Sequence, residues 1–277
     1  MQGTTINRAE AQSLPSWRLL LQYRSYIQSN ALQDFVYKYA GTSLGLMWNV
    51  IHPIMLVAVF SFVFTVIMPA RFQPSGGQTI PFILFLCSGL LPWLSFVDAL
   101  LRGTGAFVDN AGYLRKLSIP EEVFLARTLV GSCILLCINL VVLIAAAFLY
   151  GFWPRWTWLL VPVVGLLMML FAFGMGALLG TINVFARDAH QIVTISTQAW
   201  LWLTPITYAS TAMPSWLHSA QYANPAFPYI ELIREQFIYG RPGPISLWIA
   251  ALLWAVAALA AGNLVLSRFR TDVRDVL

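Results

Sequence analysis

Few side chains in this 277-residue chain stand close enough together to do chemistry. Arg187, Asp188 and His190 fall within four positions, and Glu121 and Glu122 are adjacent. Acids paired with each other or with a histidine near a membrane surface would suit acid–base or metal-assisted transfer on a lipid-borne substrate. Neither cluster has a metal-ligand spacing, which argues against a membrane transferase. No G-x-x-x-x-G-K-[ST] occurs, and Gly174, Gly176 and Gly180 sit in an apolar run with no lysine after them, so the chain lacks a P-loop for ATP. His52, beside Pro53, is a titratable group deep in an apolar run, and a lone histidine more often packs or hydrogen-bonds than relays protons. Cys87, Cys133 and Cys137, odd in number and all in apolar runs, read as packing residues rather than a disulfide or a ligand set.

The elements that must hold these residues are membrane helices. Six stretches of 26 residues or more carry no Asp, Glu, Lys or Arg: Tyr39–Ala70, Phe72–Val97, Thr128–Pro154, Trp156–Ala186, Ala189–Ile230 and Pro242–Ser267. A helix of roughly 20 apolar residues crosses a bilayer, because lipid cannot satisfy an unpaired backbone group. The composition, 59% hydrophobic and 10% charged with mean hydropathy +0.73, leaves no tract for a soluble domain. The reading is an all-α polytopic protein of one integral domain, 1–277. Residues 1–43 form a cytoplasmic tail and interface helix, 44–266 six spans, and 267–277 a second cytoplasmic tail. The spans are expected near Leu44–Met68, Ile80–Leu101, Val123–Tyr150, Thr157–Asn183, Ile192–Ala209 and Ile245–Leu266, with kinks favoured by Pro53, Pro92, Pro162 and Pro205. Met1–Trp17 is polar and lacks the apolar core of a secretory signal. With both termini inside, 12 of the 16 basic residues fall on the cytoplasmic side, leaving Arg71, Arg155, Arg234 and Arg241 outside. That asymmetry accounts for the net charge of +5 through anionic lipid, without nucleic acid.

Several local patterns refine this plan. Leu32, Phe35, Val36 and Tyr39 at i, i+3, i+4 and i+7 predict an amphipathic helix lying along the inner membrane surface. Ala172, Gly176 and Gly180 make a helix face with almost no bulk, suited to close packing within one subunit or to a contact between copies, and Ala257 and Ala261 repeat it weakly. Asp98 and Arg102, spaced i, i+4, and Arg127 read as interfacial pairing and snorkelling groups. Trp153, Trp156 and Trp158 read as belt residues. The loop from Asn110 to Glu122 keeps apolar Tyr113, Leu114, Leu117 and Ile119 beside Arg115 and Lys116, as a docking surface would. The 42 residues from Ala189 to Ile230 exceed one span, and their surplus, with Pro214, Trp216, Tyr222, Pro225, Phe227, Pro228 and Tyr229, predicts short re-entrant helices. Without a P-loop or mid-span acids for ion coupling, a transporter of this kind needs a separate ATP-hydrolysing partner at that inner loop.

The stretch Tyr39-Ala-Gly-Thr-Ser-Leu-Gly-Leu-Met-Trp-Asn-Val-Ile-His-Pro53 resembles the start of the first span in permeases of the polysaccharide ABC exporters, the ABC-2 type family of O-antigen, capsule and teichoic-acid transport. Lys38-Tyr39 stands where that family has Arg-Tyr. Asn183-Val-Phe-Ala-Arg-Asp188, Leu203-Thr-Pro-Ile-Thr-Tyr208 and Asn224-Pro225 follow in the family's order, so the resemblance runs from about Phe35 onward.

The resemblance implies a permease that exports lipid-linked polysaccharide, O-antigen or capsular, across the bacterial inner membrane. It also implies a homodimer working with two ABC ATPase subunits that bind ATP and Mg, with no cofactor in this chain. Export of teichoic acid, or of a drug or small lipid, is the alternative, and a capsule system would add a periplasmic adaptor. Lys38, Tyr39, Tyr113, Leu114, Arg115, Lys116, Leu117 and Ile119 would then couple to the ATPase. Trp200, Trp202, Tyr208 and Trp216 become candidates to line a sugar path by ring stacking, and Tyr222, Phe227, Tyr229, Glu231 and Arg234 candidates for the outer gate. Glu231, Arg234 and Glu235 are expected at its exposed edge.

Overall fold

The computed structural model describes residues 21–38, 41–67, 80–116, 119–209 and 220–277, and the regular elements among them are helices. They are α1 (Arg24–Tyr37), α2 (Trp48–Phe62), α3 (Phe82–Asp109), α4 (Ala111–Lys116), α5 (Glu121–Leu149), α6 (Val161–Phe185), α7 (Ala189–Leu203), α8 (Phe227–Arg234), α9 (Ile245–Arg268) and α10 (Arg270–Val276). Tight or wide turns at Gly45–Met47, Val63–Ile67, Trp156–Leu160 and Glu235–Tyr239 extend α2, α6 and α8. Tyr39, Leu117, Trp216, Pro214 and the tail Met1–Pro15 lie outside the described residues.

Five helices are long and apolar enough to cross a membrane: Gly45–Ile67, Phe82–Asp109, Glu121–Leu149, Trp156–Phe185 and Ile245–Arg268. They follow five of the six expected spans. In place of Ile192–Ala209 stands α7, whose 15 residues rise about 22 Å, short of a hydrocarbon core of about 30 Å. The chain turns extended at Thr204, because the Pro205 ring disfavours helix at the residue before it and offers no N–H.

Local chemistry sets the other helix ends. Pro120 precedes α5, and Glu121 and Glu122 fill its first turn, where carboxylates meet the positive end of the helix dipole. Proline also stands in the first turn of α6 and of α8, positions where a missing N–H costs nothing. The wide turn after α8 ends at Gly240, whose φ of +68° suits glycine.

Helix α3 is the axis of the bundle. Some 78% of its most apolar stretch is buried, against 11% for α2, which lies on the periphery. It packs on α5, α6, α7 and α8, and α6 in turn packs extensively on α9. Around its midpoint Trp93 and Phe96 meet Trp200 edge-on, and Phe96 stacks on Phe171, which stacks on Tyr229.

The small-residue face of α6 serves packing within the chain. A Cβ on Gly103 of α3 would lie 2.9 Å from the Gly176 Cα, and one on Gly180 would meet the Gly103 carbonyl at 2.8 Å. On α9 the packed residues are Ala251, Ala255, Ala258 and Gly262, whereas Ala257 and Ala261 face outward, one position off the expected register. Gly174 meets the Ala258–Leu259 backbone itself. Gly174→Val is therefore expected to force α6 from α9 and abolish recovery of monodisperse protein in detergent, while Gly112→Val, in open space, leaves recovery unchanged.

Helix α1 covers most of the expected amphipathic stretch. Its buried residues are Ile27, Ala31 and Phe35, while Leu32 and Val36 are exposed, so among the described residues of the stripe Phe35 faces the bundle and the other two stay on the outer surface. The reason is a partner: Ile27 packs on Val123 and Ala126 of α5.

Candidate functional site

The basic end of the bundle gathers α1, α4, the start of α5 and α10. The α3 helix ends at Asn110, whose Nδ2 donates to the Ala106 carbonyl at 2.8 Å and whose own carbonyl accepts from the Tyr113 and Leu114 amides. Helix α4 then projects two faces. Leu114 is anchored at 2% exposure among Phe107, Phe124 and Val273, while Tyr113, Arg115 and Lys116 stand out from the bundle, Tyr113 at 56%. An aromatic ring flanked by two cations on a short helix can dock against a groove, and no carboxylate, histidine or cysteine stands beside them on α4 to assist a reaction. Ile119 is half-buried and touches the clusters of both α4 and α1.

Ion pairs fix α1 to this end. Arg127 of α5 donates to both oxygens of Asp34 through Nε and NH2. Lys38 Nζ lies 2.9 Å from Asp98 Oδ1, and Ser132 donates to Asp98 Oδ2 at 2.7 Å. The expected Asp98–Arg102 pair forms at 3.9 Å, with Arg102 laid over Gly131. Between α2, α3 and α5, next to Lys38 and Asp98, lies a cavity of about 270 Å³ lined also by Trp48, Asn49, His52 and Asn139. Asn49 and Asn139 are buried there with side-chain oxygens that accept no hydrogen bond from described residues.

Farther along the bundle, the chain returns inward after α7. Trp200 Nε1 donates to Asn224 Oδ1 at 2.7 Å, and Asn224 Nδ2 donates to Thr204 at 3.0 Å. Since Trp200 packs on the middle of α3, Asn224 stands at mid-depth. From there α8 climbs to the end opposite the basic one, where Phe237 stacks on Trp158 at 4.3 Å and the Gln236 carbonyl accepts from Thr157. Of the expected lining residues, Trp202 is exposed beside Phe60, Tyr208 is half-buried with its hydroxyl donating to the Trp202 carbonyl, and Trp200 is half-buried in the aromatic core.

The expected gate residues divide by burial. Tyr222 is exposed and Phe227 buried against it, while Tyr229 is fully buried and donates to the Ala251 carbonyl at 2.8 Å. Glu231 is half-buried. Arg234 does not lie at an exposed edge. It is the largest fully buried side chain, donating to the carbonyls of Pro205 and Ile206, with its guanidinium 3.7 Å from the centre of the Phe85 ring and 3.6 Å from Glu231. The break at Pro205 explains the burial: two carbonyls in the non-helical stretch after α7 need donors, and the guanidinium fork reaches both. Burial and then the Glu231 carboxylate push the Glu235 carboxyl above its ordinary range.

The motif Asn183 to Asp188 has a structural role. Asn183 donates to the Thr104 carbonyl of α3 at 3.1 Å and accepts from the His190 amide at 3.1 Å, tying the ends of α6 and α7 to the axis helix. Sequence reasoning missed the partners of Glu121 and Glu122, which are Arg274 and Arg270 of α10, some 150 positions away in the chain. Acids repeated at a helix start with arginines in the final stretch were the available signal.

Comparison with known proteins places this architecture. Residues 26–238 match the family model described as ABC-2 type transporter. The chain is similar to the O-antigen export system permease protein RfbA of Klebsiella pneumoniae, 29% identical over 246 residues covering 86% of this chain and 90% of that protein. It is 31% identical over 192 residues to the RfbA protein of Myxococcus xanthus, covering 69% and 71%. The polysialic acid transport protein KpsM of Escherichia coli matches at 20% over 256 residues, covering 91% and 95%. By its bundle of apolar helices and this match over most of its length, the chain belongs to the ABC-2 type transporter family of multi-pass membrane permeases.

Proposed function

We propose that this chain is the membrane-spanning subunit of an ATP-driven exporter of lipid-linked polysaccharide in the bacterial inner membrane. The carrying observation is α4, whose buried Leu114 anchors an exposed Tyr113 flanked by Arg115 and Lys116 in a chain without a P-loop. An ABC ATPase subunit seats on that helix, and its nucleotide-driven closure moves α3 and α5 together. The basic end faces the cytosol, in keeping with the positive-inside rule. Two copies of the chain pair around the path, each with its own ATPase subunit holding ATP and Mg.

Polysaccharide as cargo follows from the relatives named for O-antigen export and polysialic acid transport. Trp202 and Tyr208, with Trp200 behind them and Trp216 beyond the described residues, supply rings against which sugar faces can slide. The lipid-linked part draws support from the cavity beside Lys38 and Asp98, which joins polar groups to a mostly apolar wall of Pro53, Leu94, Val97, Leu101 and Leu135, near the basic end and against the peripheral α2. The rise of α8 from mid-depth supports a re-entrant outer gate, in which Tyr222, Phe227, Tyr229, Glu231 and Arg234 close the path. A periplasmic adaptor would meet the loop from Trp216 to Arg241.

Vesicles holding this chain and its ATPase subunit are expected to move glycan only while ATP is hydrolysed, and movement without ATP would overturn the proposal. A second reading, export of a small lipid, is favoured by the burial of Trp200 in the aromatic core. Unchanged glycan export by a Trp202→Ala, Tyr208→Ala variant would support it.

A further inference from the structure

Helix α10 follows α9 after a single residue and folds back onto the segment that leaves α4. Arg274 pairs with Glu121 through Nε and donates from NH2 to the Ile119 carbonyl at 2.9 Å. Arg270 bonds Glu122 and lies 3.7 Å from Glu121. Both acids are buried, Glu121 fully, whereas the arginines keep about a quarter of their side-chain surface exposed. Solvent-exposed ion pairs contribute little, but a buried carboxylate depends on its cation, because the alternative is an uncompensated charge away from water.

A second, apolar contact runs in parallel. Val273, fully buried, and Leu277 sit in the same cluster as Leu114, Phe107 and Phe124. The residue that anchors α4 therefore shares one apolar cluster with the helix that continues from α9. Arg270 stands between two acids and hydrogen-bonds one of them, and the second oxygen of each acid has no hydrogen-bond donor among the described residues. The network can exchange partners over a short displacement without breaking.

We propose that α10 is a clamp on the exit of the coupling segment, with Arg270 and Arg274 as positioning residues that carry displacement of α4 into α9 as well as α5. The inference rests on the reading of α4 as the ATPase contact. It assigns to α9, which packs along α6, a share of the driven motion that its own sequence does not suggest.

The test compares glycan exported per ATP hydrolysed in reconstituted assemblies. Arg270→Gln, Arg274→Gln should retain ATPase association and ATP hydrolysis yet lose export per ATP by about tenfold, within the usual range of coupling free energies. Arg274→Lys should restore much of it. Should the uncompensated acids prevent folding, the neutral set Glu121→Gln, Glu122→Gln, Arg270→Gln, Arg274→Gln removes the charges together and is expected to show the same uncoupling. Export per ATP at the wild-type value in a folded variant overturns the clamp alone. Wild-type vesicles that export without ATP would overturn the reading of α4, and the clamp with it.

Discussion

Tyr113→Ala combined with Arg115→Glu and Lys116→Glu is expected to cut export by about 30-fold or more, since truncating an aromatic anchor at an interface costs about 2 kcal/mol. The fold should survive, because all three side chains stand outside the bundle and make none of its buried contacts. The check is capture of the purified ATPase subunit together with thermal unfolding of the variant. Weakened capture with an unchanged unfolding midpoint is the predicted pair of results. Leu114→Ala should behave in the opposite way. It is buried in the cluster that joins α3, α5 and α10, so its loss is a stability defect of about 2–5 kcal/mol.

Arg234→Met is the second large effect. Here one side chain satisfies the Pro205 and Ile206 carbonyls, covers Phe85 and compensates Glu231. Removing one partner of a buried charge pair costs about 3–5 kcal/mol. The expected result is a sharply lowered unfolding midpoint or loss of recoverable protein. Arg234→Lys should recover only part of the stability, because an ammonium lacks the planar fork that spans two carbonyls. Glu231→Gln should be milder than either, since Glu231 is partly exposed and leaves Arg234 its two carbonyl partners.

The membrane architecture was legible because its determinants are local. Runs of apolar residues set the spans, and prolines at 120 and 205 set breaks that the backbone follows. The family motifs gave the order of elements, and the loop after Asn110 announced a surface by keeping aromatic and basic residues together. What could not be read was the direction in which faces turn. Ala257 and Ala261 satisfied the periodicity of a packed stripe yet point outward. In a lipid-facing helix both faces are apolar, so hydrophobic period carries less information about packing than it does in water.

Long-range ion pairs were equally hidden. Asp34–Arg127, Glu121–Arg274 and Glu122–Arg270 join residues far apart in the chain, and no spacing rule links them. Arg234 was misplaced for a related reason. An arginine expected in an outer loop ordinarily stays in water, and the non-helical stretch after α7 supplies the carbonyls that draw this one inside.

We propose a conduit worked from the cytosol by a separate ATP-hydrolysing subunit gripping α4. A photo-crosslinking residue placed at position 113 of the assembled transporter tests it most directly. Efficient crosslinks to the ATPase subunit are expected, with a yield that changes between the ATP-bound and ATP-free states, and no such crosslinks from position 150 at the far end of the bundle. Export-competent assemblies in which position 113 never reaches an ATPase subunit would contradict it.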